Sequence, residues 1–200
     1  MKIHCDRVKF LEAFQIVASV VPVRSPKVVL QNVKLEVEKD RVVLSATDME
    51  VGIRYTVSGV EIDAPGSTLL PVSRFSSILR EAPDDKLEIE VTSKGVRVHG
   101  QRSNFLLPAA NPDEFPDVAS FSDEAYHEVP AGFLKEIIHR TIFATDNESS
   151  RYALSGVLFE LNDEDLIAVG TDGRRLAKMQ GPSQSIGGHK TGESTIIVPS

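Results

Sequence analysis

Apolar positions change period several times along the chain. Phe10, Leu11, Phe14 and Val17 recur at helical spacing and predict a helix over residues 7–19, with Asp6 placed to cap its first turn. Residues 2–5 ahead of it alternate as a short strand does. Pro22 and Pro26 bracket a loop that carries Arg24. Runs rich in Val, Ile and Leu at 29–38, 41–47 and 51–58 predict three strands separated by polar turns. Asp63-Ala64-Pro65-Gly66 reads as a turn, and 68–72 as a further strand. Phe75, Ile78 and Leu79 share one face of a short helix that Ser73 caps and Pro83 ends. Residues 86–92, 95–100 and 103–107 read as a β-meander.

The pattern then repeats. Residues 108–126, with Pro108, Pro112, Pro116 and no periodicity, read as a linker. A strand begins near His127, and Pro130 fits a first helical turn. Phe133, Leu134, Ile137, Ile138 and Ile142 form one apolar face through residue 143. Strands follow near 155–162, 165–171, 175–180 and 194–199, with a Gly-rich loop at 183–192. The segment from Leu30 to Asp48 aligns with the segment from Leu154 to Asp172 at a constant offset of 124 residues. Solenoid repeats run about 20–50 residues, so this offset implies duplicated domains. Phe10-Leu11 recurs as Phe133-Leu134, and Leu70-Pro71-Val72-Ser73 finds its echo in Val198-Pro199-Ser200. The expected fold is α+β, two copies of one domain, each with two helices packed on antiparallel sheets. The first copy is expected over 1–120, with its linker reaching about 126, and the second over 127–200, truncated, as in a partial chain. Sheet edges left at each end of a copy invite pairing with another domain or chain.

Composition narrows the class. With 41 % hydrophobic and 26 % charged residues the chain reads as an ordinary globular protein. It has no apolar run near 18 residues, and its start lacks the apolar core of a signal peptide, so no membrane association is expected. A single cysteine, Cys5, forms no intramolecular disulfide and reads as a small buried hydrophobe in a cytoplasmic protein. The net charge of −7 argues mildly against general nucleic-acid affinity, though partners feel the local field. Locally, the predicted helices carry Arg7 and Lys9, Arg74 and Arg80, and Lys135, His139 and Arg140, while most acids lie elsewhere. The bland reading is a solvated helix face. The functional reading is sequence-independent phosphate contact.

Catalytic signals are weak. Thr47-Asp48 and Thr171-Asp172 each end a strand. Either the aspartates cap the following turns, or they act as general acid or base in a hydrolase. His4, His99, His127, His139 and His189 show no metal-ligand spacing. Gly187-Gly188-His189-Lys190 lacks the spacing of a phosphate-cradling loop. No nucleophile elbow, Cys-His pair or dinucleotide fingerprint is present, so no metal or cofactor is expected and a binding role is favoured.

Several segments carry a family resemblance: Met1-Lys2-Ile3, Val21-Pro22-Val23-Arg24-Ser25-Pro26, Leu30-Gln31-Asn32-Val33, Ala46-Thr47-Asp48-Met49-Glu50, Pro71-Val72-Ser73-Arg74-Phe75 and Glu114-Phe115-Pro116-Asp117. The most specific are Arg151-Tyr152-Ala153-Leu154-Ser155-Gly156-Val157-Leu158-Phe159-Glu160 and Val169-Gly170-Thr171-Asp172-Gly173-Arg174-Arg175-Leu176-Ala177. Over its whole length the chain resembles the bacterial sliding clamps, the beta subunits of the replicative DNA polymerase. The resemblance implies a non-catalytic processivity factor that forms a homodimeric ring around double-stranded DNA when full length. Its implied partners are the replicative polymerase, the clamp loader and other clamp-binding-motif proteins. By position it assigns DNA contact to Arg24, Arg74, Arg80 and Tyr152, to which the basic helix face adds Lys135 and Arg140. It assigns a partner-peptide pocket to Arg151, Leu154, Thr171, Gly173, Arg174, Arg175 and Leu176, and ring closure to Phe105 and Leu107. Arg174 stands where some members have His. The third domain and the rest of the second are absent, so this stretch alone is expected neither to close a ring nor to bind partner peptides at full strength. The alternative from another class is a protein-interaction module without DNA binding; a hydrolase using Asp48 and Asp172 ranks below it.

Overall fold

β1 (Lys2–Asp6) runs directly into α1 (Arg7–Ala18) in the computed structural model, which describes residues 1–121, 124–189 and 196–200. Asp6 makes the junction: its carboxylate accepts the Lys9 N–H at 3.0 Å, the expected N-cap. A 3-10 turn over Val28–Gln31 leads to β2 (Asn32–Val37), β3 (Val42–Thr47), β4 (Gly52–Val57), β5 (Glu61–Ala64) and β6 (Gly66–Pro71). α2 (Val72–Glu81) and the meander β7 (Lys86–Thr92), β8 (Gly95–His99) and β9 (Asn104–Leu107) follow. These elements form two antiparallel sheets, ordered β4-β3-β2-β6 and β5-β1-β7-β8-β9. The apolar faces of both sheets and both helices close on one core, where Phe10, Phe14 and Phe75 are fully buried.

Three expectations for this unit are corrected. The strand predicted at 29–38 begins only at Asn32, because the Asn32 side chain donates to the carbonyls of Val28 (3.2 Å) and Val29 (3.0 Å) and holds them in a 3-10 turn. The turn predicted at 63–66 is partly a strand, since β5 pairs with β1 and places Asp63 on His4 at 3.0 Å. Ser73 does not cap α2. Pro71 occupies that position without a side-chain bond, and Ser73 lies within the first turn. The stretch expected as a linker, 108–126, contains the boundary between the units, and part of it packs on the first: Phe115 is buried, and the Val118 carbonyl accepts from Arg54 at 3.4 Å. The prolines prevent a periodic element there, yet each apolar side chain still finds the protein surface.

Arg7, expected on a basic helix face, is a structural residue. Its guanidinium donates to the Leu79 carbonyl (2.8 Å) and the Asp84 carbonyl (2.9 Å), satisfying chain ends beyond α2. The Asp84 carboxylate is buried and accepts the Arg102 N–H at 3.0 Å and the Ser103 hydroxyl, closing the β8–β9 turn. The Ser103 hydroxyl, then the Arg102 N–H and charge, hold its pKa below the usual carboxylate value. A depressed folded pKa contributes stability that is fully present above the unfolded value of about 3.9 and is lost as pH falls through the folded one. Asp84→Asn is therefore expected to lower the urea midpoint at pH 7, and the gap to wild type should narrow progressively below about pH 4. Burial pushes the Cys5 thiol up to about 12, which makes it an inert core group, as expected.

The second unit replays this order. β10 (Tyr126–Glu128), α3 (Ala131–Thr141), a 3-10 turn at Tyr152–Leu154, β11 (Gly156–Leu161), β12 (Asp165–Thr171), β13 (Leu176–Pro182), β14 (Gln184–Ile186) and β15 (Ile196–Pro199) are its elements. Its main sheet runs β13-β12-β11-β15, the counterpart of β4-β3-β2-β6, and β10 pairs β14 as β1 pairs β5. Contacts divide the chain into Met1–Ser120 and Phe121–Ser200. The second unit carries one α-helix among the described residues. β15 corresponds to β6, after which α2 follows in the first unit. The Gly-rich loop expected at 183–192 is instead β14 and a turn at Gly187 and Gly188, and its end, with residues 194 and 195 of the last predicted strand, lies outside the described residues. The core of this unit is Ile137, Val157, Leu166 and Ala168, with Phe133, Leu134 and Phe159 packed on it. Gly170 admits the end of α3: a Cβ there would sit 2.2 Å from the Thr141 carbonyl oxygen. Gly170→Ala must shift backbone, so an expected loss of about 1–3 kcal/mol in unit stability follows, measurable by urea denaturation.

Candidate functional site

The sites are built on a turn that occurs twice. At the end of β12, the Thr171 hydroxyl donates to the Arg175 carbonyl at 2.7 Å and accepts the Gly173 N–H at 3.1 Å. The Asp172 carboxylate accepts the N–H groups of Arg174 and Arg175, both at 2.9 Å, and the Arg175 guanidinium at 3.0 Å. The Arg175 and Arg174 N–H groups hold its pKa below the ordinary range. At the end of β3, Thr47 bonds the Val51 carbonyl (2.8 Å) and the Met49 N–H (2.9 Å), and Asp48 accepts from Glu50 (2.9 Å) and Val51 (2.8 Å). Even the left-handed residue recurs, Met49 at φ 85° and Gly173 at φ 84°. Both aspartates thus serve their own turns, which removes the motive for a hydrolase reading.

Gly52 follows the first turn, and a Cβ added there would meet Val118 at 2.7 Å. The position 124 residues later is Leu176, which is 66 % exposed. Beside it stand Phe143, 58 % exposed, and the Arg175 guanidinium, 5.8 Å from the centre of the Phe143 ring. Strand register sets Thr171 opposite Leu176 and Leu158 opposite Val169, and continuing it brings Gly156 to the level of Thr171. Leu154, half-buried, closes the preceding 3-10 turn, where its carbonyl accepts the Asp146 N–H at 2.8 Å. Arg151 and Arg174 are exposed, and Gly173 leaves open space where a side chain would stand. The result is an apolar surface edged by arginines. Phe143 escaped the sequence reading because it continues the apolar face of α3. The helix ends at Thr141, whose hydroxyl bonds the Ile137 carbonyl (2.7 Å), and the 3-10 turn Ile142–Ala144 carries Phe143 outward.

Of the basic positions, Arg24, Arg74 and Lys135 are exposed and their side chains have no hydrogen-bond or ion-pair partner among the described residues. Arg74 lines a groove of about 620 Å³ in the first unit, together with Val21, Pro22, Val23, Val28 and Pro108 among others. Arg80 is exposed and donates to the Ser76 carbonyl at 3.3 Å, which leaves its charge uncompensated. Arg140 is paired with Glu136 at 2.8 Å, so its field is partly cancelled. The Tyr152 hydroxyl donates to the Ile197 carbonyl at 3.3 Å while the residue remains 61 % exposed. On the edge strand β9, Leu107 is buried in the core of its own unit and Phe105 is half-buried against it, whereas Leu106 is 59 % exposed. No described helix is long and apolar enough to cross a membrane.

Residues 1–119 match the family model described as DNA polymerase III beta subunit, N-terminal domain, and residues 128–200 match its central domain. The chain is 33 % identical over 202 aligned residues to the beta sliding clamp of Escherichia coli (strain K12), covering 100 % of this chain and 54 % of that protein. The crystal structure of the DNA polymerase sliding clamp from Bacillus subtilis superposes with a TM-score of 0.88 at 25 % identity, over 100 % of this chain and 54 % of that one. The Caulobacter crescentus pol III beta structure gives 0.85 at 31 %, over 100 % and 55 %. The chain spans about half the length of these relatives. With both of its halves matched in order by that family's models, the chain belongs to the DNA polymerase III beta subunit family, the bacterial sliding clamps.

Proposed function

We infer that this chain supplies the first domain, 1–120, and part of the second, 127–200, of a homodimeric ring that encircles double-stranded DNA in the cytoplasm. The ring tethers the replicative DNA polymerase, and the clamp loader and other clamp-binding-motif proteins use the same surface. Its role is non-catalytic. Arg24, Arg74, Arg80, Lys135, Arg140 and Tyr152 face the phosphate backbone, where weak contacts indifferent to sequence permit sliding. Phe105 and Leu107 form the ring-closing edge. Since Leu107 already packs within its own unit, the backbone of β9 is what that edge offers a partner strand.

The single observation behind this reading is the exposed cluster at the second turn, where Leu176 and Phe143 lie open beside the Arg175 guanidinium. Exposed apolar side chains grouped together and edged by charge make the kind of surface a ligand covers. Leu154, Thr171, Gly173 and Leu176 supply the surface for apolar peptide side chains, and Arg151, Arg174 and Arg175 edge it. Leu176→Ala combined with Arg175→Ala in the full-length protein is expected to weaken binding of a clamp-binding-motif peptide about tenfold or more. Isothermal titration checks this, and unchanged affinity in a folded variant would remove the pocket assignment.

A further inference from the structure

β10 and the turn after β14 bring two histidines ring to ring. Nδ1 of His127 lies 2.8 Å from Nδ1 of His189, with ring centroids 5.0 Å apart and planes at 79°. The other nitrogen of His127, Nε2, lies 2.8 Å from the Asn162 carbonyl oxygen. A carbonyl only accepts, so Nε2 carries the hydrogen and Nδ1 of the neutral ring presents a lone pair toward His189. The second ring is held in place by backbone. The His189 N–H donates to the Ile186 carbonyl at 3.4 Å, and its own carbonyl accepts the Ser185 hydroxyl at 2.7 Å. Gly187 and Gly188, at φ 65° and 73°, make the turn that swings His189 back over β10.

We propose that His127 and His189 form a two-histidine binding site for a borderline divalent transition-metal ion of the Zn2+ or Ni2+ class. His127 has the arrangement found at metal-ligating histidines, in which a carbonyl fixes the far N–H and leaves the near nitrogen as donor. At metal–nitrogen distances of about 2.0–2.1 Å, two nitrogens on a tetrahedral ion stand roughly 3.3 Å apart. The rings need to part by only about 0.5 Å, which side-chain rotation supplies. No third His, Cys, Asp or Glu completes a metal cluster among the described residues, so water fills the other positions and affinity falls below that of four-ligand structural sites. The ion clips β10 to the turn beyond β14 and so reinforces a two-stranded sheet held by a three-residue register.

A second histidine cluster serves as a control. His4 and His99 flank Glu88 on the first unit, with Asp63 on His4. The Lys2 ammonium stands 3.1 Å from Glu88 and 3.4 Å from Asp63, so a cation already fills that cluster. Titration calorimetry of the full-length protein with Zn2+ and with Ni2+, in a buffer that does not chelate, tests the assignment. One saturable site per chain is expected, lost in His127→Ala and in His189→Ala and retained in His4→Gln/His99→Gln. His189→Cys keeps a ligating atom and is expected to retain Zn2+ binding, and circular dichroism of each variant without metal separates loss of the site from loss of the fold. Failure of the folded wild-type protein to bind either ion, with the two rings sharing only a proton, overturns the proposal. So does binding that survives in folded His127→Ala.

Discussion

Phe75→Ala is expected to cost the first unit about 3–5 kcal/mol, a large part of the 5–15 kcal/mol that holds an ordinary domain. Phe75 is the apolar anchor of α2 and has no exposed surface. Its ring meets Phe14 edge-on at 4.9 Å and 65°, and Phe10 at 6.0 Å and 84°. Edge-to-face pairs add about 0.5–1.5 kcal/mol each beyond the area they bury, so truncation removes two such contacts together with the filled volume. The surrounding helices and both sheets are tied by backbone ladders and cannot collapse far into the gap. Urea denaturation followed by circular dichroism should show the transition of the first unit moved to low denaturant. A shift worth under about 1 kcal/mol would mean that α2 is not the keystone of this core.

Neutralising Arg24, Arg74, Arg80 and Lys135 together in the full-length protein is expected to produce the largest functional change. Each lost phosphate contact removes about 0.9 from the slope of log affinity against log salt, so four remove about 3.6. Weakening should be uniform across DNA sequences, because phosphate contacts position a protein and do not read bases. Arg140→Ala should add less than the others, since Glu136 already offsets that charge. A salt titration on duplexes of two unrelated sequences checks both statements. An unchanged slope would favour an interaction module that does not touch DNA.

Periodic segments carried most of this fold in plain view. α1 is legible because Phe10, Phe14 and Val17 fall on one face and Asp6 caps it, and the strands β2, β3, β11 and β12 are legible because Val, Ile and Leu cluster between polar turns. The duplication is legible because turn chemistry repeats with the strands: Thr47-Asp48 and Thr171-Asp172 make the same bonds. What periodicity misses are elements defined by a distant partner. β5 has four residues before Pro65, too few for a pattern, and exists because β1 offers it an edge. Phe115 and Val118 sit among prolines and gain their places only from the surface they cover. The arginines and leucines of the candidate site were assigned by position, from the family resemblance of the segments that carry them. Phe143 was not legible beside them, since its outward turn depends on where α3 stops. Arg7 shows the converse error, since a charge count on a helix cannot tell a phosphate ligand from a residue that caps neighbouring carbonyls.

We propose that the full-length protein holds DNA by enclosing it. The direct measurement is the lifetime of the protein, loaded by its clamp loader, on a nicked circular plasmid and on the same plasmid after linearisation, followed by gel filtration at raised salt. Enclosure predicts persistence on the circle and rapid loss once the DNA has ends, because sliding off requires no contact to break. Equal lifetimes on both forms would contradict the account and place the attachment in direct contacts alone.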